Sequence, residues 1–225
     1  VNASKTELLF VGGRQQLAAA DLNPSVKFMG DTLQPATKVK SLGLIVDSNL
    51  TYESHIDSVV QRCNGILIGL LHARHVLPQE TLPALVKTLV LSHLRYCCTV
   101  YGNRASVTSL QRLQKVIHFA ARVVSGRKKF DHISDVLSKL GWLSARQLFE
   151  HSTLCAVRKI LATDEPECLR ADFVFNRDVT TRVTRQADHL HIPRARTEWG
   201  KCTFSYRACE LFNKRASSIA NAIKR

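Results

Sequence analysis

Residues 106–126, SVTSLQRLQKVIHFAARVVSG, decide the fold class of this chain. Apolar side chains recur there at spacings of three and four, which predicts an amphipathic helix from about Ser106 to Val124. Ser125-Gly126 gives the helix a natural end. The residues expected to face inward are Leu110, Leu113, Val116, Ile117 and Ala120, and those expected mostly on other faces are Arg112, Lys115 and Arg122.

The same periodicity predicts helices on both sides of this stretch. One begins with Ser54 as N-cap, with Asp57 imitating a capping box, and ends near His75. A second runs from about Gln79 to Tyr96, with Pro83 near its first turn, where proline is tolerated. Its inward residues are expected to be Leu85, Leu89, Val90 and Leu94. Shorter helices are expected over Ile133–Leu140 and Ala145–Leu161.

The N-terminal part has the pattern of short strands. Apolar runs at Thr6–Val11, Val26–Met29 and Val39–Val46 are each followed by turn residues, the last by Asp47-Ser48-Asn49. The expected fold is therefore mainly α with a small N-terminal antiparallel β unit. Residues 164–188 are polar with little periodicity and are interpreted as a linker or poorly ordered segment. Beyond it we expect a strand at Thr203–Tyr206 and helical turns at Arg207–Asn213 and Ser217–Ile223.

The charge of the chain is unevenly distributed. The formal net charge is +14, yet residues 1–60 contain five Lys or Arg and six Asp or Glu. Residues 61–225 therefore carry 27 basic and 12 acidic residues, a formal charge of +15. Such an excess favours a polyanionic partner, most simply nucleic acid, through release of counterions. The alternative is a basic domain without such a partner.

The seven cysteines do not form the pattern of a disulfide framework, because their number is odd and no secretory signal is recognisable. We expect Cys63, Cys97, Cys98 and Cys155 to be buried small apolar residues. On paper, zinc could be bound by His189, His191, Cys202 and Cys209, but their spacing matches neither a finger nor a knuckle. His93 and Cys97 are expected to pack in the core. No metal site is therefore predicted in this chain.

The ends and apolar runs of the chain give two further expectations. No apolar run approaches the length that a membrane span requires. The chain starts at Val1 without a Met, so we expect it to be a piece of a longer reading frame.

Several stretches together resemble the reverse transcriptases of non-LTR (LINE-type) retrotransposons of the Jockey and CR1/L2 type. Residues 1–12 resemble the N-x-x-K-T-E segment and strand that follow the catalytic Tyr-Ala-Asp-Asp box. Residues 39–56, with Leu42-Gly43-Leu44, Asp47 and His55-Ile56, are similar to L-G-V-x-x-D-x-x-L-x-F-x-x-H-I. Residues 91–97, LSHLRYC, match the thumb segment S-x-L-x-Y-C.

The resemblance continues, in order and at the family's spacing, over most of the remaining chain. It includes residues 110–115, 120–122, Ser125-Gly126, His132-Ile133, 140–143, 192–197, Gly200 and Phe204. It departs near the end, where the family's Trp-Asn-x-Leu-Pro stands here as residues 212–216, FNKRA.

The resemblance implies a palm remnant followed by a helical thumb. The implied segments are the end of the palm with a primer-grip-like region (1–52), the thumb (53–163), the linker (164–188) and a basic C-terminal module (189–225). The implied activity is that of an RNA-directed DNA polymerase that grips an RNA/DNA template–primer during target-primed reverse transcription. The implied partners are that duplex and the palm and fingers of the same polyprotein, with no membrane. The implied location is intracellular, in nucleus and cytoplasm.

Catalytic aspartates are expected upstream of this chain, because the family places them before Asn2 and the sequence has no Asp-Asp pair. Mg²⁺ is expected for the complete polymerase and no cofactor for this chain alone, which should be inactive. Lys5 is a candidate for contact with the leaving group, or a solvated lysine. Asp47 is interpreted as a turn former and not a metal ligand.

Two sets of binding residues are expected. Leu42, Gly43 and Leu44 would be the primer grip, or a plain bulge. Phosphate contacts are expected from Arg62, Arg74, Arg112, Lys115, Arg122, Arg127, Lys128, Lys129, Arg194 and Arg196. The rival functions are a non-catalytic nucleic-acid-binding remnant of a decayed element and a helical structural protein that binds no nucleic acid.

Overall fold

The computed structural model describes residues 6–19, 26–28, 30–180 and 185–223. The chain is mainly helical with a few short strands, which confirms the predicted fold class at that coarse level. Contacts divide it into two compact units. The first comprises Val1–Tyr96 and Arg104–Trp142, and the second comprises Cys97–Asn103 and Leu143–Arg225.

The strands described in the N-terminal part form three two-stranded sheets. The elements are β1 (Leu8–Leu9), α1 (Arg14–Ala19), β2 (Val26–Phe28), β3 (Asp31–Leu33), β4 (Pro35–Ala36), β5 (Lys38–Ser41) and β6 (Leu44–Asp47). β2 pairs with β3 and β5 with β6 in antiparallel fashion, whereas β1 runs parallel to β4. The prediction of a single antiparallel unit was therefore wrong, because β1 pairs in parallel.

The predicted strand Val39–Val46 is a hairpin. Ser41 pairs with Leu44, so Leu42 and Gly43 form a two-residue turn. Both residues have positive φ, 48° and 84°, as the turns that best match strand twist require. The prediction of one continuous strand at Val39–Val46 was wrong, because the sequence does not indicate that Leu42 adopts a left-handed backbone.

Helices make up most of the remaining chain. In the first unit they are α2 (Glu53–Ala73), α3 (Leu82–Val86), α4 (Ser92–Arg95), α6 (Val107–Ser125) and α7 (Ser134–Leu140), with a π-helical turn at Lys87–Leu91 between α3 and α4. In the second unit they are α5 (Cys98–Tyr101), α8 (Ala145–Thr163), α9 (Glu167–Arg170), α10 (Asn176–Val179), α11 (Glu198–Lys201) and α12 (Phe204–Ile223).

The core of the first unit lies where α2 packs against α6 and the α3–α4 segment. The buried residues of the α3–α4 segment include Leu82, Val86, Val90 and Leu94, at a constant spacing of four. The π-helical turn widens the helix there and keeps these residues on one side. The expected inward Leu89 is 42% exposed, so that prediction was wrong.

Helix ends follow the sequence closely in α6 and less so in α2. Ser106 caps α6 by accepting a hydrogen bond from Ser109 N–H, and Gly126 ends the helix with a left-handed φ of 74°. The predicted Ser54–Asp57 capping box was wrong, because the N-cap of α2 is Tyr52, two residues earlier, and its side chain makes no cap hydrogen bond.

The second unit has its own apolar core between α8, α12 and the segment that links them. Its buried residues are Val157, Ile160, Phe173, Leu190, Ala208 and Cys209. Asn213 binds both backbone groups of Leu190, accepting from N–H at 2.7 Å and donating to C=O at 2.8 Å.

Two predictions for this unit were wrong. Residues 164–180, interpreted as a linker, contain α9, α10 and the fully buried Phe173, whose ring packs edge-on against Phe204 at 5.9 Å. The expected strand at Thr203–Tyr206 lies in and just before the single helix α12. Both errors arise because partners distant in sequence supply the burial.

Among the described residues, the helices lack the combination of length and apolar composition that a membrane span requires.

Candidate nucleic-acid interface

The tip of the β5–β6 hairpin brings together two of the stretches that resemble the polymerase family. The Tyr96 hydroxyl donates a hydrogen bond to the backbone oxygen of Leu42. A Cβ placed on Gly43 would lie 3.5 Å from the Tyr96 ring, so the ring packs against the turn. Leu42 itself is 89% exposed. The three expected primer-grip residues therefore occupy a supported turn, with Leu42 presented to solvent and Leu44 buried.

Asp47 organises the connection from β6 to α2. Its carboxylate accepts hydrogen bonds from the N–H groups of Asn49, Thr51 and Tyr52 at 2.7–3.1 Å and from the Thr51 hydroxyl at 3.1 Å. Burial alone would raise the pKa of Asp47, but these hydrogen bonds outweigh it and hold the pKa below its ordinary value. The geometry confirms the interpretation of Asp47 as a turn-forming residue.

His55 connects the hairpin to α2. Its buried ring accepts a long hydrogen bond of 3.5 Å from Ile45 N–H through Nδ1. Burial lowers the pKa of His55, so the neutral form is favoured, with the proton on Nε2 if Nδ1 accepts.

A stripe of α6 carries cations toward the C-terminal end of that helix. Lys115, Phe119, Arg122 and Gly126 follow one another at spacings of four, three and four, which places them on one side of the helix. Lys115 is exposed and Arg122 is half-buried. The C-terminal end of a helix carries partial negative charge, which offsets some of the repulsion between cations gathered there.

The stripe ends at a cavity of about 480 Å³, referred to below as the basic cavity. Its lining combines apolar side chains with cations, and among the described residues none that lines it carries a carboxylate. The lining residues are Leu71, Arg74, Phe119, Arg122, Val123, Gly126, Arg127 and Lys129. A site with this composition suits an anion that also has an apolar face.

Arg74 lies directly over Gly126. A Cβ placed on Gly126 would come within 2.5 Å of Nη1 and 2.7 Å of Cζ of the Arg74 guanidinium. The absence of a side chain at position 126 thus allows both the left-handed helix end and the position of this guanidinium over it.

Two of the expected phosphate-binding arginines already have carboxylate partners. Arg112 forms ion pairs with Asp57 and, at 3.9 Å, with Glu53. Arg127 binds Asp135 through two hydrogen bonds of 2.5 and 2.6 Å, which lower the pKa of that carboxyl group. These pairs join neighbouring elements, so both arginines are less available to a phosphate than exposed Lys115, Lys128 and Lys129. Arg62 is exposed on α2 but is not part of the basic cavity lining.

The loop Arg127–His132, referred to below as the basic loop, carries a residue that the sequence analysis missed. Phe130 is 88% exposed and follows Lys128 and Lys129 directly. Lys129 Nζ lies 5.5 Å from the centre of its ring. The sequence shows an aromatic residue directly after a basic run, but only the exposure of its ring makes it a candidate for stacking on a base.

In the second unit, Arg194 and Arg196 are exposed in the irregular stretch between Leu190 and α11. The four residues considered for zinc have different surroundings, since His191 is exposed and Cys209 is buried in the apolar core. Burial, followed by the charge of Asp172, raises the pKa of Cys209 to about 11, which opposes the thiolate that zinc needs. Among the residues with described positions, no three His, Cys, Asp or Glu group as metal ligands.

The structure also tests the predicted burial of four cysteines. Cys63 and Cys98 are buried as expected, whereas Cys97 is half-buried and Cys155 is exposed. Cys97 lies outside α4, which ends at Arg95, so it does not share a helix face with His93. Lys5 lies outside the described residues.

No protein-family model matches this chain, and no curated protein or solved structure shows significant similarity to it.

Proposed function

We propose that this chain is the end of the palm and the thumb of a non-LTR-type RNA-directed DNA polymerase, and that it holds the RNA/DNA template–primer. The supporting observation is the basic cavity, with Lys115 on the adjoining stripe and the basic loop beside it. Phosphates of a duplex are the natural ligand for such a surface, because each contact releases condensed counterions.

In this proposal the chain binds the template–primer and does not supply the catalytic residues. The carboxylates that hold Mg²⁺ would come from the rest of the palm. That part of the palm and the fingers would belong to the same polyprotein. The β5–β6 hairpin would approach the primer end, since Leu42 extends from a turn that Tyr96 and Gly43 support. The proposed site of action is intracellular, in the nucleus for target-primed synthesis.

A salt titration tests the proposal. Fluorescence anisotropy with a short labelled RNA/DNA hybrid should give an affinity that falls steeply between about 50 and 200 mM salt. Replacing Lys115 with Ala should reduce the slope of log K against log salt by about 0.9, the value for one phosphate contact. Lys87→Ala is the matched control, because Lys87 is also exposed but lies in the π-helical turn between α3 and α4, off the stripe of α6 that leads to the basic cavity.

Two results would count against the proposal. Absence of binding at low salt would leave a helical structural protein as the better description. Equal losses of slope for Lys115→Ala and Lys87→Ala would indicate attraction by overall charge, with no defined surface.

A further inference from the structure

The basic loop carries an exposed aromatic ring, that of Phe130, and a contact with phosphate alone would not involve this ring. Phe130 is 88% exposed, so nearly the whole ring faces water, although burial of an aromatic side chain is normally favourable. The ring lies beside Lys129 Nζ, and Lys129 also lines the basic cavity. An aromatic face and the basic cavity therefore adjoin each other.

Hydrogen bonds hold the basic loop from both ends. Arg122 donates to the backbone oxygens of Lys128 at 3.2 Å and Asp131 at 3.5 Å. The Asp131 carboxylate accepts from Lys128 N–H at 2.8 Å. Arg127 fastens the start of the loop to Asp135 on α7. The ring is thus presented by a braced turn, which lowers the entropy cost of binding a partner.

We propose that Phe130 stacks on an unpaired base of a nucleic-acid strand whose neighbouring phosphates bind in the basic cavity. The inference rests on the proposed function and narrows it to a single-stranded extension of the bound hybrid. A cationic groove with an aromatic platform is the usual equipment for single strands, because every base has a face that can stack. Bases inside a duplex do not offer that face.

The surroundings of the ring favour this partner over an apolar protein surface. Lys128 and Lys129 precede Phe130, and Arg74 and Arg122 line the adjoining cavity. Burying this set against an apolar partner would strip water from cations without giving them counter-charges, which is costly. A strand supplies the phosphates and the stacking face together.

The experiment compares two RNA/DNA hybrids with duplexes of the same length, one blunt and one with a single-stranded overhang. The full chain should bind the overhang hybrid more tightly. Phe130→Ala and Phe130→Leu should each lower that affinity by about 5- to 160-fold, the effect of one lost base–aromatic stack. Both should bind the blunt hybrid as the wild type does. Phe130→Trp should retain the preference, and fluorescence of the new indole should be quenched by the overhang alone.

A matched control is available at the other end of α6. Val107 is 69% exposed and apolar, so Val107→Ala removes exposed apolar surface away from the basic loop. It should leave both affinities unchanged.

The outcomes separate the two proposals. Wild-type affinity of Phe130→Ala for both hybrids would overturn the stacking role and leave duplex binding intact. An equal loss on both hybrids would also overturn it, since it would show a contact that needs no unpaired base. A chain that binds neither hybrid would refute both proposals.

Discussion

Gly126 and Gly141 offer a matched pair of substitutions that tests the position of Arg74. Both glycines end helices with left-handed backbone, at φ of 74° and 62°. Alanine at either position should cost about 1–2 kcal/mol of unfolding free energy because of its backbone conformation. The surroundings differ, since a Cβ at Gly141 meets nothing within 4 Å, whereas one at Gly126 would lie 2.5 Å from Arg74 Nη1.

Arg74 has a long flexible side chain, so in the Gly126→Ala protein the guanidinium should move away at little further cost in stability. Its departure removes one cation from the lining of the basic cavity. Gly126→Ala should therefore reduce the salt slope of hybrid binding by about 0.9, while Gly141→Ala leaves it unchanged.

The assay combines urea denaturation followed by circular dichroism with anisotropy titrations over a range of salt. The same glycine substitution made in an Arg74→Ala background identifies the cause, because no guanidinium is left to displace. There, Gly126→Ala should no longer alter the slope. The reasoning fails if the two glycine variants bind the hybrid equally well, or if the effect of Gly126→Ala persists without Arg74.

Three further predictions concern stability and reactivity. Asp47→Asn should cost about 1–3 kcal/mol, as expected for disturbed hydrogen bonds to a charged acceptor. Because the folded pKa of Asp47 is lowered, its stabilisation is full above the unfolded pKa of about 3.9 and is lost as pH falls through the folded value, so urea midpoints of wild type and variant should converge in acid. Phe173→Ala should cost about 3–5 kcal/mol, measured by thermal unfolding of the second unit, because the ring is fully buried. Burial raises the pKa of Cys63 and Cys209 to about 11, so mass spectrometry after iodoacetamide treatment should find Cys155 alkylated well before either.

Each of these has a result that would contradict it. A constant difference in stability between wild type and Asp47→Asn down to strongly acidic pH would show that the carboxylate is not specifically stabilised in the fold. An unchanged melting temperature for Phe173→Ala would restore the interpretation of its segment as a linker. Alkylation of Cys63 at the rate of Cys155 in the folded chain would show that α2 does not bury it.

Elements with a strong local signal were predictable. The helices α6, α7 and α8 lie within a residue or two of their predicted bounds, because apolar periodicity and caps act over a few residues. Apart from the cap of α2, the errors lie where the deciding contact is distant in sequence. The β5–β6 turn depends on Leu42 adopting left-handed backbone with support from Tyr96, and Phe173 is buried by residues of α8 and α12.

The cationic residues of the candidate interface were predictable from the sequence, but their positions relative to one another were not. Sequence cannot show that Arg112 is paired with Asp57, 55 residues away, while Lys115 on the next turn is exposed. It also gave no weight to Phe130, because a single aromatic residue after a basic run is ordinary until its exposure is known. The fold determines which charged side chains form ion pairs within the chain and which remain exposed to a ligand.

The π-helical turn at Lys87–Leu91 has a consequence for the history of this chain. A turn of that kind is what an α-helix becomes when it absorbs one additional residue without losing its packing on either side. Leu82 and Val86 before it and Val90 and Leu94 after it are buried all the same. A related chain lacking one residue here could form an unbroken helix with an equivalent core. Alignments of this region should therefore allow a single-residue gap between positions 87 and 91.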